Sequence, residues 1–306
     1  MFSRRLFLVV LVSACHTVTA KAVTPTDARL PVVATFSILA DLTRQVGGGR
    51  VDVRSLVGPN GDAHVFQPSP LDGKILTQAK LIVTNGLGFE GWLERLAKSS
   101  KASGPVVVAS KGVVPRKMAK EAHGHDHDHD APGADPHAWH SVSNIKIYVA
   151  NIRDGLIAAD PAGAEFYRAN AHNYLAQLDA LDAEIKATIA SIPPERRKVI
   201  TTHDAFGYFA AAYGVAFIAP QGVSTESEAS ARDVARIIRQ IRSDKVPAVF
   251  LENVSDPRLA KRIADETGAK LGGALYSDAL SDEKGAASTY IGLMRHNIKE
   301  LKAALE

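Results

Sequence analysis

The stretch DPAGAEFYRANAHNYLAQLDALDAEIKATIASIPP, residues 160–194, decides how the rest of the chain is read. Asp160 can cap a helix, and Pro161 suits its first position, where the missing N–H costs nothing. Phe166, Tyr167, Leu175, Leu178, Leu181, Ile185 and Ile189 follow at helical spacing, the mark of a helix with an apolar face. Pro193-Pro194 stops it, because proline cannot donate to the helical ladder. Some thirty residues at ~1.5 Å each span roughly 45 Å, enough to cross two domains. Residues 159–194 therefore read as a rigid connector, with no short flexible hinge beside it.

Outward from this helix, the same alternation appears on both sides. In 22–158, strands are expected at 31–36, 51–57, 81–84 and 106–109, and helices at 71–79, 89–98 and 143–159. Ser69 followed by Pro70 is a start signal for the first of these helices. In 195–306, strands are expected at 198–201, 215–219, 248–251 and 271–275. Helices are expected at 206–213, from Ser230, at 257–267 and at 288–304. Short β-branched runs alternating with helices argue for parallel sheets. The expected fold is α/β, with two lobes of parallel-sheet α/β sandwich joined by a long backbone helix.

The composition is that of a globular protein, 46% hydrophobic and 23% charged. A net charge of +3 with scattered basic residues carries no nucleic-acid footprint, and nothing demands more than a monomer. Residues 1–20 differ from the rest. Arg4 and Arg5 precede an apolar run, 6–12, and small residues follow up to Ala20. This is the pattern of an export signal, too short to span a bilayer. Ser3-Arg4-Arg5-Leu6-Phe7-Leu8 resembles a twin-arginine signal, and Val12-Ser13-Ala14-Cys15 resembles a lipobox that would place a lipid anchor on Cys15. Cys15 is the sole cysteine. Cleavage near Ala20 leaves no thiolate, so any metal must be held by His, Asp and Glu.

Eleven histidines are present, and their placement carries most of the information. His123, His125, His127 and His129 alternate with Gly and Asp in a low-complexity loop, 121–136. Such a segment cannot build a core, but it offers exchangeable ligands for a divalent ion. It is too flexible to fix one coordination geometry. Three further histidines fall in loops after strands. His64 lies in a turn-rich segment, 58–70; His137 lies in Asp135-Pro136-His137-Ala138-Trp139-His140; and His203 follows the strand at 198–201. Asp278 follows the last strand. In open α/β sheets, ligands bind at the carboxyl ends of strands, so two groups from each lobe can converge in an interlobe cleft. His172 and His296 fall within helical patterns and read as structural.

Several segments carry a family resemblance: Gly58-Pro59 through His64 to Pro68, Asp135-Pro136-His137-Ala138-Trp139, and His203-Asp204-Ala205-Phe206-Gly207-Tyr208. Ser224-Thr225-Glu226 and Tyr276-Ser277-Asp278 complete the set. Their order and content resemble the metal-specific solute-binding proteins of ABC importers, the zinc and manganese receptors. The resemblance covers nearly the whole exported chain. It implies a periplasmic, non-enzymatic receptor whose ligands are His64, His137, His203 and Asp278, and whose partner is an ABC transporter membrane permease. It also raises a periplasmic zinc metallochaperone as a donor to the loop. His140 departs from the family, which usually has an uncharged residue there, and it is a candidate competitor of His137.

Three imidazoles and one carboxylate suit zinc, which accepts N and O donors in a tetrahedral shell. Manganese prefers more oxygen, and the manganese branch tends to carry Glu at the third ligand position. One tight Zn2+ is therefore expected, with weaker zinc in the loop. A manganese receptor of the same fold is the alternative. A zinc hydrolase is disfavoured by the fourth ligand and the lack of a His-Glu-x-x-His helix. Glu226, Glu228 and Glu252 are candidates to orient the imidazoles from outside the shell, and Asp204 reads as a helix cap. Trp139, Phe89 and Phe206 read either as apolar walls of the site or as core.

Overall fold

The computed structural model describes residues 29–117, 133–226 and 229–306. The expected export signal with Cys15, the loop histidines His123, His125, His127 and His129, and Glu228 lie outside the described residues.

The amino-terminal lobe runs β1 (Leu30–Phe36), α1 (Ser37–Gly47), β2 (Val51–Val57), α2 (Pro70–Gln78), β3 (Leu81–Thr84), α3 (Leu93–Ser100), β4 (Val106–Val108) and α4 (Val142–Ala159). The connector is α5 (Ala164–Ala190). The carboxyl-terminal lobe runs β5 (Lys198–Ile200), α6 (Gly207–Tyr213), β6 (Ala216–Ile218), α7 (Ala231–Asp244), β7 (Ala248–Glu252), α8 (Pro257–Thr267), β8 (Lys270–Leu275) and α9 (Tyr290–Leu305). Each lobe holds a four-stranded sheet, in the orders β2-β1-β3-β4 and β6-β5-β7-β8. Every strand pair is parallel. In both sheets the chain reverses its direction of winding beside the first strand. The crevice where such sheets bind ligands therefore opens at the carboxyl ends of β1 and β3 in one lobe and of β5 and β7 in the other.

The local chemistry explains most of the elements. Ser69 and Asp72 form a reciprocal capping box on α2, with Pro70 at its first position, which satisfies donors at the helix start. Ser230 caps α7 through the Asp233 N–H, and Gly214 and Gly268 end α6 and α8 in left-handed conformations that glycine adopts without strain. Helix α1 is an element beyond those expected from the sequence. It leaves β1 without a loop and is buried continuously from Ser37 to Thr43, with the polar Ser37, Asp41 and Thr43 among the buried residues.

The connector helix starts later than its sequence predicts. Residues Pro161–Gly163 form a 3-10 turn, and Asp160 makes no side-chain cap. Its carboxylate instead accepts from Arg50 Nε and Nη2, at 2.9 and 2.8 Å, and from the Tyr167 hydroxyl at 2.7 Å. Tyr167, Ala171, Tyr174, Leu178, Leu181, Ile185 and Ile189 form the buried stripe of α5. Phe166 is 43% exposed and lies outside that stripe. The stripe packs on α1 and α4 of one lobe and on α9 of the other. The largest apolar cluster is continuous from Val32 through the α5 stripe to Val199, Phe250, Leu275 and Leu305. One core thus serves both sheets and the connector. A second cluster fills the layer between β5, β7, α7 and α8.

Candidate metal centre

His64 sits on the loop that leaves β2. Its backbone N–H donates to Asp62 Oδ1 at 2.9 Å, a local turn that asparagine and aspartate favour. The ring packs edge-on against Phe89, with centroids 4.8 Å apart.

His137 does not follow a strand directly; it immediately precedes the short 3-10 turn Ala138–His140 that leads into α4. The segment is docked at the carboxyl end of β3, where Asn85 Nδ2 donates to the Pro136 carbonyl at 2.9 Å. Asn85 is itself held there: the Tyr148 hydroxyl donates to its Oδ1, and its backbone N–H donates to Glu90 Oε1 at 2.6 Å. Asp135 curls back onto His137, with Oδ1 3.0 Å from the backbone nitrogen and 2.9 Å from the ring Nδ1. On His137 this orienting role thus falls to Asp135 and not to Glu226 or Glu252. A usable signal was present, because an Asp two residues before a His, with Pro between them, can close this small ring.

His203 and Asp278 follow β5 and β8. Glu252 closes β7 and turns inward: Oε1 accepts the N–H groups of Thr202 and His203 at 2.6 and 3.0 Å, while Oε2 lies 2.6 Å from His203 Nδ1. The parallel pairing of β5 with β7 and of β7 with β8 sets these three groups side by side. The geometry at His203 and His137 is the same: a carboxylate holds Nδ1 and leaves Nε2 aimed at the centre, which fixes ring orientation and raises donor strength.

The four side chains meet. His64 Nε2 and His137 Nε2 are 3.2 Å apart. Asp278 Oδ2 lies 3.4 Å from His64 Nε2 and 3.1 Å from His203 Nε2, and Asp278 Oδ1 lies 3.6 Å from His137 Nε2. All four donor atoms fall within 4.8 Å of one another. A tetrahedral ion bound at ~2.0–2.1 Å sets its donors roughly 3.3 Å apart, so the three separations within the set that uses Asp278 Oδ2 already match such a shell. His137, His203 and Asp278 are fully buried, and a charged or lone-pair group in such a place needs a partner. Burial works against charge on His203, yet the Glu252 and Asp278 carboxylates push its pKa well above the ordinary imidazole value. Burial would raise Asp278, but His203 and His137 hold it well below the usual carboxylate range. Both directions favour a proton on His203 beside an ionised Asp278, and an ion binding His203 Nε2 would compete with that proton.

The other sequence-predicted residues divide. His140 is buried but lies outside the group of four; its ring lies tilted against Phe206, with centroids 4.5 Å apart, and both ring nitrogens lack a partner among the described residues. Trp139 and Phe89 wall the site, with Trp139 5.2 Å from the His137 ring and 4.9 Å from Phe89. Phe206 faces His140 and Phe217. Glu226 is exposed and is not among the four grouped donors. Asp204 does not cap α6, whose cap residue is Phe206 without a side-chain bond. His172 is exposed on α5, and His296 Nε2 lies 2.9 Å from the Ala274 carbonyl.

Residues 32–304 match the family described as zinc-uptake complex component A, periplasmic. The iron-binding protein YfeA of Yersinia pestis is 36% identical over 89% of this chain and 85% of its own. The manganese ABC transporter substrate-binding lipoprotein PsaA of Streptococcus anginosus is 31% identical over 90% of this chain and 89% of its own. The solved structure of the periplasmic zinc binding protein TroA from Treponema pallidum superposes with a TM-score of 0.82 at 32% identity, covering 91% of this chain and 99% of that one. The interlobe cluster of three imidazoles and a carboxylate sits in a fold shared with transport receptors rather than enzymes. On this sequence match and this architecture, the chain belongs to the family of exported, periplasmic metal-binding solute-binding proteins of ABC importers.

Proposed function

We propose that this protein captures one Zn2+ ion between its lobes, through His64, His137, His203 and Asp278, and surrenders it to the membrane permease of an ABC importer. The observation that carries the reading is the convergence of four buried or nearly buried donors, two from each lobe. Zinc is favoured by the donor chemistry. Three neutral nitrogens and one oxygen at tetrahedral spacing suit an ion without strong geometric demands, whereas manganese seeks more oxygen and a larger shell. The buried carboxylates of Asp135 and Glu252 offset the charge left on such a site. The loop histidines His123, His125, His127 and His129 would gather the ion weakly from solution or from a periplasmic metallochaperone, with the protein working as a monomer.

Manganese is the second reading. Among the relatives, names citing manganese outnumber those citing zinc. Raw affinity does not separate the two, since zinc outcompetes manganese at most nitrogen and oxygen sites. The test therefore has two parts. Competitive titration of metal-stripped protein should give one tight zinc per chain, weakened at least ~100-fold in His203→Ala and nearly unchanged when residues 122–130 are deleted. Several weak ions per chain, insensitive to His203→Ala, would remove the interlobe site from consideration. Growth of a strain lacking the gene then selects the ion: failure rescued by added zinc supports zinc, and rescue by manganese alone replaces it.

A further inference from the structure

Two of the three imidazoles are steadied by a carboxylate at Nδ1, Asp135 on His137 and Glu252 on His203. His64 has no such partner among the described residues, and it is the one donor of the four that is not fully buried. Its support comes through the backbone. The Asp62 carboxylate accepts the His64 N–H on Oδ1 at 2.9 Å and, on Oδ2, the hydroxyl of Thr225 from the opposite lobe at 2.6 Å. Two residues earlier, Asn60 takes a left-handed conformation, φ 53°, and donates its N–H to the Leu280 carbonyl at 2.8 Å. The loop bearing the least-supported donor is therefore tied across the cleft. Asn253 Nδ2 also donates to Asn60 Oδ1, at 3.3 Å, and the shorter side-chain tie, from Thr225, comes from Ser224-Thr225-Glu226, a segment that the four-donor site leaves unused.

We infer that Asp62 and Thr225 form an interlobe latch that positions His64, and that opening this latch sets how fast the bound ion leaves. The inference rests on the reading of His64 as a metal donor. A hydroxyl donating to a carboxylate is a charge-assisted bond of the stronger kind. When it breaks, Asp62 loses its fixed orientation and the His64 backbone with it. His137 and His203 keep their Nδ1 carboxylates and Asp278 stays buried beside them, so the ion loses His64 first. The three donors left behind expose one coordination position to an incoming ligand. Ser224 and Glu226 flank the latch and are exposed, so a partner docking there reaches Thr225 without entering the cleft. Asp62 and Thr225 are positioning residues in this scheme; neither touches the ion.

The test is stopped-flow release of zinc from the loaded full-length protein into excess chelator. Thr225→Val removes the hydroxyl at nearly constant shape. Release should accelerate about tenfold or more, with association within about twofold of wild type and one ion still bound per chain. Thr225→Ser should restore slow release, which a purely structural role for the methyl group would not allow. Unchanged release in Thr225→Val, or acceleration that Thr225→Ser fails to reverse, overturns the latch. His64→Ala separates this from the underlying reading. If it binds zinc as wild type does, the donor assignment itself is wrong; if it binds weakly while Thr225→Val releases normally, the latch alone is wrong.

Discussion

Imidazole is costly to bury without a partner, and the chain buries it in two ways. His137 and His203 have carboxylates on their outer nitrogens and a shared centre on the inner ones. His140 is equally buried and has neither. Burial, followed by the neighbouring His137 imidazole, pushes its pKa down to about 3. The sign of the resulting pH dependence is fixed. In the unfolded chain this imidazole takes up a proton near pH ~6.5, while in the folded protein it stays neutral down to about pH 3. Its contribution to stability therefore falls as pH drops through that window and is constant above it. His140→Leu should remove this slope, leaving the metal-free variant less acid-sensitive by on the order of 3 kcal/mol between pH 7.5 and 4. At neutral pH it should be as stable as wild type or more so, because no unpartnered nitrogen remains. Urea unfolding of both proteins across that range would show it, and parallel curves would contradict it. At this scale, loop position and family resemblance were enough to pick out the four donors as candidates. The direction of individual acids was not legible. Glu252 and Glu226 look alike as letters, and only the pairing of β7 between β5 and β8 turns one of them inward.

Among the elements, α5 shows what periodicity can and cannot tell. Leu178, Leu181, Ile185 and Ile189 are buried as their spacing predicts, but the amino-terminal part of the stripe consists of Tyr167, Ala171 and Tyr174. Alanine and tyrosine carry a weak apolar signal, and Phe166 a strong one, yet Phe166 faces outward. The helix start moved for a similar reason: Asp160 binds Arg50 and Tyr167 rather than its own backbone, an alternative that only the folded lobe supplies. The strands were legible to within a residue at either end, because short β-branched runs bounded by turns leave little room for error. Leu178 is fully buried on α5 within the core that joins the lobes. Leu178→Ala should cost about 2–5 kcal/mol and lower the melting temperature of the metal-free protein as a single cooperative transition. Two separated transitions in that variant would mean that the lobes unfold independently.

At the scale of the whole molecule, domains within a chain ordinarily move unless their interface is large and apolar. Here the interface is both: the largest apolar cluster runs without interruption through the two sheets and the connector. Buried polar ties reinforce it, among them Trp139 Nε1 to the Ser277 carbonyl at 2.8 Å and the Tyr290 hydroxyl to the Trp139 carbonyl at 2.9 Å. Solution scattering of metal-free and metal-loaded protein should therefore superpose, and a wide opening on metal removal would refute a rigid connector. A long helix with an apolar face was enough to anticipate a helical connector between the lobes; the fusion of two cores into one was not legible, since it depends on which faces of α1, α4 and α9 meet the connector. The division of the four donors, two from each side of the cleft, gives the cargo a second role as a rivet. An ion that binds only the folded arrangement stabilises it by about 1.4 kcal/mol for every tenfold rise in free ion above the dissociation constant. The empty receptor is then also the frailer one, and its resistance to heat and proteases becomes a gauge of metal supply.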